Sequence, residues 1–284
     1  MKSTYNLFFC INDGYTRQLC VTLISILENN RDSDFRFHVI SRDLSDKSRK
    51  KIVGLAGGYK NFTVNFATPD AKLFEGLKLT ISHISIDTYY RYAIANMFPE
   101  IDKGLYLDAD LIVTDKLDGL MAIDISKDYA AGVRCSYIEK HNHRQQYKKK
   151  LGLSEDEPYV NAGVLLLNLA KIRNDNMLDA LLTTEPLDFQ DQDAINIAFR
   201  GKILELPDIW NLCRSAVTPK KLKMAAIIHF SSNKKPWGRS WWYKLSDWYR
   251  HPEFLMWEKY AKIFDTYNSS SSNEEGKSTS ASEN

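Results

Sequence analysis

The chain has 284 residues, of which 44% are hydrophobic and 26% charged, and a formal net charge of +2. That length supports one or two domains around a substantial core, and so small a charge excludes bulk attraction to nucleic acid. Cys10, Cys20, Cys135 and Cys213 form no CxxC pair and no zinc spacing, so the cysteines read as reduced, with Cys10 and Cys20 as small core residues.

At the N-terminus, Met1 to Phe9 lacks a long apolar core followed by a small-residue cleavage site, which predicts no signal peptide. No apolar run approaches the roughly 18–20 residues of a membrane span. Tyr5 to Ile11 is aromatic and β-branched, hence a strand; Tyr15 to Asn29 places Leu19, Leu23, Ile26 and Leu27 at helical spacing. Arg36 to Ile40 returns to strand. Ser45 to Leu55 predicts a helix with Ser45 as N-cap, stopped by Gly57-Gly58. Phe62 to Phe66 alternates as a strand, Ser85 to Met97 predicts a helix ending near Pro99, and Leu105 to Leu107 is a short apolar strand. This alternation implies a parallel sheet covered by helices on both faces.

The second half is less regular. Tyr129 to Val133, Val164 to Leu167 and Ala225 to Phe230 read as strands. Asn174 to Leu182, Gln192 to Phe199 and His251 to Tyr267 read as helices. In the last 17 residues, Asn268 to Asn284, 7 are Ser and none is a large apolar residue. Such a segment cannot bury enough surface to offset ordering entropy, so one domain over 1–267 and a disordered Ser-rich tail over 268–284 are expected.

Chemistry concentrates at Leu105-Tyr106-Leu107-Asp108-Ala109-Asp110, where an apolar strand ends in two carboxylates. In open α/β sheets, ligands bind beyond the carboxyl ends of strands. Acids at i and i+2 can converge on one hard cation that also accepts phosphate oxygens. A solvated acidic turn is the plain alternative for so short a triplet. A second apolar strand, Ala226-Ile227-Ile228, ends at His229 and runs through Ser231-Ser232-Asn233 to Lys234-Lys235-Pro236-Trp237. An imidazole nitrogen favours Mn²⁺ over Mg²⁺, and a lysine just beyond supplies a point charge for phosphate. Residues in three further places have a functional and a plain structural reading. Asn161 can donate into a cleft or end a turn, and Gly163 permits close approach. Asp191 or Asp193 can cap the helix that follows, and one of them is expected to. Arg91 can form a mere surface ion pair.

Taken together, LDAD and, 121 residues beyond Asp108, HFxxxxKPW resemble the retaining glycosyltransferases of family 8. That group includes bacterial lipopolysaccharide galactosyl- and glucosyltransferases and glycogenin. Four more segments match in order: Asn12-Asp13-Gly14-Tyr15 after the opening strand, His83-Ile84-Ser85 through Arg91, Asn161-Ala162-Gly163-Val164-Leu165, and Gln190-Asp191-Gln192-Asp193. The resemblance implies a GT-A fold, with a Rossmann-like mixed central sheet flanked by helices. It also implies a UDP-sugar donor, with galactose or glucose as the hexose, and Mn²⁺ as cofactor, Mg²⁺ being the second choice. Asp108, Asp110 and His229 would bind the metal, and Lys235 would contact the diphosphate. Asn12, Asp13 and Tyr15 would hold uracil and ribose, while Arg91, Asn161, Asp191 and Gln192 would face the donor sugar and reacting carbon. Ala109, Ala162, Gly163 and Ser232 would line the same cleft. Two positions depart from the family pattern: Asn12 stands where an acid is frequent, and Ser232 where a Gly is frequent.

The implied partner is a glycan, glycolipid or glycoprotein acceptor, in the cytoplasm or peripherally at the inner face of the membrane. Candidate acceptor contacts are the basic run Lys140 to Lys150, with His141 and His143, and Trp237, Trp241, Trp242 and Trp248. These tryptophans serve equally as core packing or membrane contact. Two other functions fit parts of the sequence: a sugar-nucleotide-binding module without turnover, and a haloacid-dehalogenase-like phosphohydrolase in which Asp108 attacks phosphate.

Overall fold

The computed structural model describes residues 2–77, 86–140, 144–185, 188–237 and 251–280. β1 (Thr4–Cys10) is followed by α1 (Thr16–Asn29), β2 (Asp34–Ile40), α2 (Asp46–Gly54) and β3 (Phe62–Ala67). The chain returns to the middle of the sheet through a 3-10 segment, Ile86–Ala93, one helical turn α3 (Ile94–Met97), and β4 (Lys103–Leu107). β5 (Leu111–Val113), α4 (Asp118–Met121), β6 (Ala130–Arg134), α5 (Ser136–Lys140) and α6 (Arg144–Lys150) lead to the long β7 (Val160–Asn168). Then come α7 (Leu169–Asn174), α8 (Met177–Thr183), α9 (Asp191–Ala198), β8 (Ile203–Leu206), β9 (Leu212–Cys213), α10 (Pro219–Met224), β10 (Ile227–His229) and α11 (Pro252–Ser280).

The described strands form a seven-stranded sheet in the order β3-β2-β1-β4-β7-β6-β8. Neighbours are parallel except around β7, which runs antiparallel to both β4 and β6. The fully parallel arrangement expected from the first half therefore holds for β1 to β4 and stops at β7. The reversal brings the start of β7 beside the end of β4. Leu107 pairs with Val164, and the Asp108 N–H donates to the Gly163 carbonyl at 2.8 Å. A small second sheet, β5-β10-β9, stands at the same edge, with His229 opposite Leu111 on one side and Cys213 on the other.

Side chains alternate across the large sheet as the pleat requires. Leu7, Phe9, Leu105, Leu107, Val164 and Leu166 enter one core; Phe8, Tyr106, Leu165 and Leu167 enter the other. The first core is closed by α1 and α11. Helix α1 is buried from Leu19 to Leu27 because it is covered on more than one side, packing against β5 and α11. Ser45 caps α2 as predicted, its side chain accepting from the Ser48 N–H.

Four expectations are corrected. Residues 86–97 are mostly 3-10 rather than α, and Ser85 lies outside the described residues. Tyr89, Tyr90, Arg91, Tyr92 and Ala93 are buried in succession there, so packing on several sides overrides the intrinsic α preference. The helix expected over 174–182 is α8, which starts only at Met177 because Asn176 takes a left-handed φ of 52°, which Asn tolerates better than most residues; the short α7 before it was not expected. Neither Asp191 nor Asp193 is the N-cap of α9: that position is Gln190, which makes no side-chain cap bond. Finally, the backbone of α11 does not end at Tyr267 but continues through 268–280. Adding a residue to an existing helix avoids the cost of nucleating one, and no proline interrupts the segment.

Candidate active site

Beyond β4 the chain turns through Asp108-Ala109-Asp110 into β5. Thr22 of α1 pins this turn, its hydroxyl lying 3.0 Å from the carbonyl of buried Ala109 and 2.7 Å from that of Leu111. The Asp110 carbonyl accepts from the Phe230 N–H at 2.9 Å, which fastens the turn to the end of β10. His229 is thereby carried to the carboxylates. Its Nε2 is 3.1 Å from Asp110 Oδ1 and 3.6 Å from Asp108 Oδ2. One ligand atom from each of the three residues lies within 4.8 Å of the others.

These residues fit a divalent cation. Two hard oxygen donors and one imidazole form the donor set. Gly163 makes the convergence possible, since a Cβ there would stand 2.2 Å from His229 Cε1 and 2.5 Å from Asp108 Oδ2. Lys235 completes the group, its Nζ donating to Asp110 Oδ2 at 2.6 Å and to the Phe230 carbonyl at 2.7 Å. Burial alone would raise the Asp110 carboxyl, but the charges of His229 and Lys235 hold it well below the usual carboxylate range. Burial would lower His229, but Asp110 more than offsets it and the imidazole is raised overall. A cation would take over that proton's role, because a ligating imidazole is neutral.

Arg91 is the second centre of charge. It is buried rather than a surface ion pair, with 8% of its surface exposed. Its Nη1 donates to the Ala162 carbonyl at 2.7 Å, its Nη2 to Asp108 Oδ1 at 3.2 Å, and its Nε lies 3.1 Å from Asp191 Oδ2. The guanidinium sits over the Tyr106 ring, 4.4 Å from its centroid, and the Tyr106 hydroxyl donates to Asp108 Oδ1 at 2.8 Å. Burial raises the Asp191 carboxyl and the Asp108 charge adds to this; Arg91 opposes, leaving it at about 6.

Asn161 and Gln192 meet beside this centre. Asn161 Nδ2 donates to Gln192 Oε1 at 2.9 Å, which also accepts from the Ala162 N–H at 3.1 Å. The nucleoside candidates lie at the rim. Asn12 precedes the short 3-10 turn Asp13–Tyr15, and Asp13 Oδ1 accepts from the Ser45 N–H at 2.9 Å. Tyr15 is 38% exposed, and its hydroxyl is raised by burial, with Asp110 adding and Lys235 opposing, which places it near both. Ser232 accepts from Arg214 Nη1 at 3.1 Å and has no left-handed φ, so a Cβ is tolerated there.

Of the acceptor candidates, the 140–150 run is partly structural. Tyr147 and Lys148 are buried, and Lys148 Nζ donates to the carbonyls of Glu155 and Glu157. Trp237 is half-buried and packs against Trp257 and Phe230 of the core. His83, Ile84, His141, His143, Trp241, Trp242 and Trp248 lie outside the described residues. Sequence reading missed Tyr159 and Asn211, which touch the site from positions without any motif, and gave no role to Tyr106 although it lies two residues before Asp108.

Comparison with known proteins agrees with this geometry. The family model described as glycosyl transferase family 8 matches residues 6–240. A putative glycosyltransferase of Haemophilus influenzae is 29% identical, covering 93% of this chain and 81% of its own length. An Escherichia coli lipopolysaccharide 1,2-glucosyltransferase is 26% identical over 88% of this chain and 78% of its own. Glycosyltransferase GlyA of Streptococcus pneumoniae is 30% identical, although the chain spans only 33% of it. Among solved structures, the galactosyltransferase LgtC in complex with donor and acceptor sugar analogues superposes with a TM-score of 0.77 at 27% identity, over 91% of this chain and 95% of LgtC. The acidic turn, the histidine strand and a match over most of the length place the chain in glycosyl transferase family 8 with a GT-A fold.

Proposed function

We propose that this glycosyltransferase moves a hexose, galactose or glucose, from a UDP-sugar to a hydroxyl of a glycan, glycolipid or glycoprotein, with retention and with Mn²⁺ preferred over Mg²⁺. The observation that carries this reading is the convergence of Asp108, Asp110 and His229, from separate strand ends, within 4.8 Å. Resemblance to a glucosyltransferase and a galactosyltransferase supports a hexose donor. When bound, the cation supplies countercharge for the departing diphosphate. Lys235 adds a second positive charge, already aimed at Asp110, and Asn12, Asp13 and Tyr15 at the rim hold the nucleoside. Arg91 keeps Asp108 and Asp191 fixed, while Asn161, Asp191 and Gln192 face the donor sugar. Ala109, Ala162, Gly163 and Ser232 shape the cleft. The bond from the anomeric carbon to the UDP oxygen breaks, the acceptor oxygen bonds to that carbon, and the acceptor proton passes to the departing phosphate. Gln192 is a poor nucleophile, and its amide is occupied at both ends by Asn161, Ala162 and Tyr159. This supports front-face attack by the acceptor. A cytoplasmic location, at most peripheral at the inner membrane face, belongs to the same reading and is supported by four unpaired cysteines.

The direct test is a panel of UDP-sugars with and without Mn²⁺, read as released UDP and by product mass. Asp110→Ala is expected to lower transfer by at least about 10²-fold, the order seen when one strong transition-state stabiliser is lost. Lys235→Ala should lose less, chiefly in turnover. Near-wild-type turnover in Asp110→Ala, still Mn²⁺-dependent, would sink the cation assignment. Binding of UDP-sugar with no release under any condition would instead favour a binding module, and phosphoaspartate trapped on Asp108 a phosphohydrolase.

A further inference from the structure

Asn211 belongs to none of the motifs above, yet it is buried at 3% exposure and touches His229. Its Oδ1 is 3.1 Å from His229 Nδ1 and accepts from the Cys213 thiol at 3.5 Å, while its Nδ2 donates to Asn161 Oδ1 at 2.9 Å. From Asn161 the contacts continue without a gap. Asn161 Nδ2 donates to Gln192 Oε1 at 2.9 Å, Gln192 Nε2 to the Tyr159 hydroxyl at 3.1 Å, and that hydroxyl to Asp193 Oδ1 at 2.6 Å.

The direction of every bond in this row is dictated. Asp193 is fully buried and receives the Tyr147 hydroxyl and the Phe189 N–H as well as Tyr159. A carboxylate only accepts, so the Tyr159 proton points to Asp193 and its oxygen takes the hydrogen from Gln192. The oxygen end of Gln192 is marked by the Ala162 N–H, a backbone donor that cannot reverse. The oxygen end of Asn161 is marked in the same way by the Gly163 N–H at 3.2 Å. Asn161 therefore accepts from Asn211, and Asn211 must turn its own oxygen to His229. An amide oxygen cannot donate, so the hydrogen sits on His229 Nδ1. The nitrogen facing Asp108 and Asp110 is then Nε2, the one left to serve as a ligand. Partners that fix the tautomer of a ligating histidine in this way raise metal affinity.

We propose that Asn211 is a positioning residue that holds His229 in the cation-binding tautomer, at the end of a one-way hydrogen-bond relay fixed by Asp193. This rests on reading Asp108, Asp110 and His229 as a cation site. Two measurements separate the claims: Mn²⁺ titration followed by loss of the free-ion EPR signal, and ¹⁵N–¹H NMR of the His229 ring in metal-free protein, assigned with His229→Gln. Wild type should bind Mn²⁺ and show an Nδ1 proton protected from solvent exchange. Asn211→Ala should bind Mn²⁺ about 10–100-fold more weakly and lose that protection. Asn211→Asp, which sets oxygen against Asn161 Oδ1 but keeps an acceptor for His229, should keep the protected proton and bind Mn²⁺ more tightly than Asn211→Ala. Tyr147→Phe removes a bond to Asp193 outside the relay and should change neither readout. If wild type fails to bind Mn²⁺, the cation reading falls, and the NMR still decides whether Nδ1 carries a proton held by Asn211. Folded Asn211→Ala with wild-type Mn²⁺ affinity overturns the inference alone. So does the absence of a protected Nδ1 proton in wild type, which needs no variant to fold.

Discussion

At the scale of single residues, Gly163 shows how little space the site contains. Its missing side chain is occupied by His229 and Asp108, at 2.2 and 2.5 Å from where a Cβ would be. His229 is 2% exposed and cannot recede, so Gly163→Ala must separate the two ligands or strain the turn. Overpacking of this kind costs about 1–3 kcal/mol. We expect a lower melting midpoint, and a rise of about 10-fold or more in the Mn²⁺ concentration giving half-maximal transfer, as when a ligand is displaced. A variant with unchanged Mn²⁺ dependence would mean that the ligands do not meet at Gly163. Much of this site was legible from the sequence, because an apolar strand ending abruptly in acids or histidine is a local signal. Asn211 was not, since a lone polar residue after Trp210 carries no local signature and its role depends on Cys213 pairing with His229 across β9 and β10.

At the scale of elements, β1 to β4 follow from period-2 patterning, but the antiparallel β7 does not. Val160 to Asn168 reads as a buried apolar run in either direction, and only its contact with the end of β4 reveals the reversal. The 3-10 segment was hidden for a related reason, since near-continuous burial erases helical periodicity. The sheet also holds a titratable group far from the site. His38 of β2 stacks on Phe8 at 4.7 Å, meets Phe98 edge-on, and its Nε2 is 3.1 Å from Asn6 Oδ1. Burial pushes its pKa from 6.5 down to about 4, with Glu100 opposing and Arg36 adding. The folded state therefore binds this proton more weakly than the unfolded chain does. Its contribution to stability is present above pH 6.5 and is lost as the pH falls towards 4. Thermal melts across that window should drop more steeply for wild type than for His38→Gln. Parallel curves would show that His38 is protonated as readily folded as unfolded.

At the scale of the molecule, α11 joins the ends of the chain to the catalytic half. Phe254, Trp257, Tyr260, Ala261 and Phe264 are each no more than 4% exposed, packed in the core shared with α1. Tyr267 lies over Gly58 so closely that a Cβ there would be 1.9 Å from its hydroxyl oxygen. Arg17 clasps Asp265 at 2.9 Å. Beyond this, Asn268 and Ser269 are exposed, so the docking contacts thin out where the Ser-rich composition begins, even though the helical backbone runs on. Two truncations should then behave oppositely. Removing 252–284 deletes four large aromatic side chains, Phe254, Trp257, Tyr260 and Phe264, whose burial contributes roughly 1.5–3 kcal/mol each, a sum on the order of the about 5–15 kcal/mol that holds a whole domain together. No cooperative melt is expected from that chain. Removing 268–284 should leave the melting midpoint within about 2 °C of the full chain and the donor KM unchanged, as for an idle tail. A large midpoint loss on the shorter cut would move the domain boundary past Tyr267, and a changed donor KM with an intact melt would give the tail a part in substrate binding.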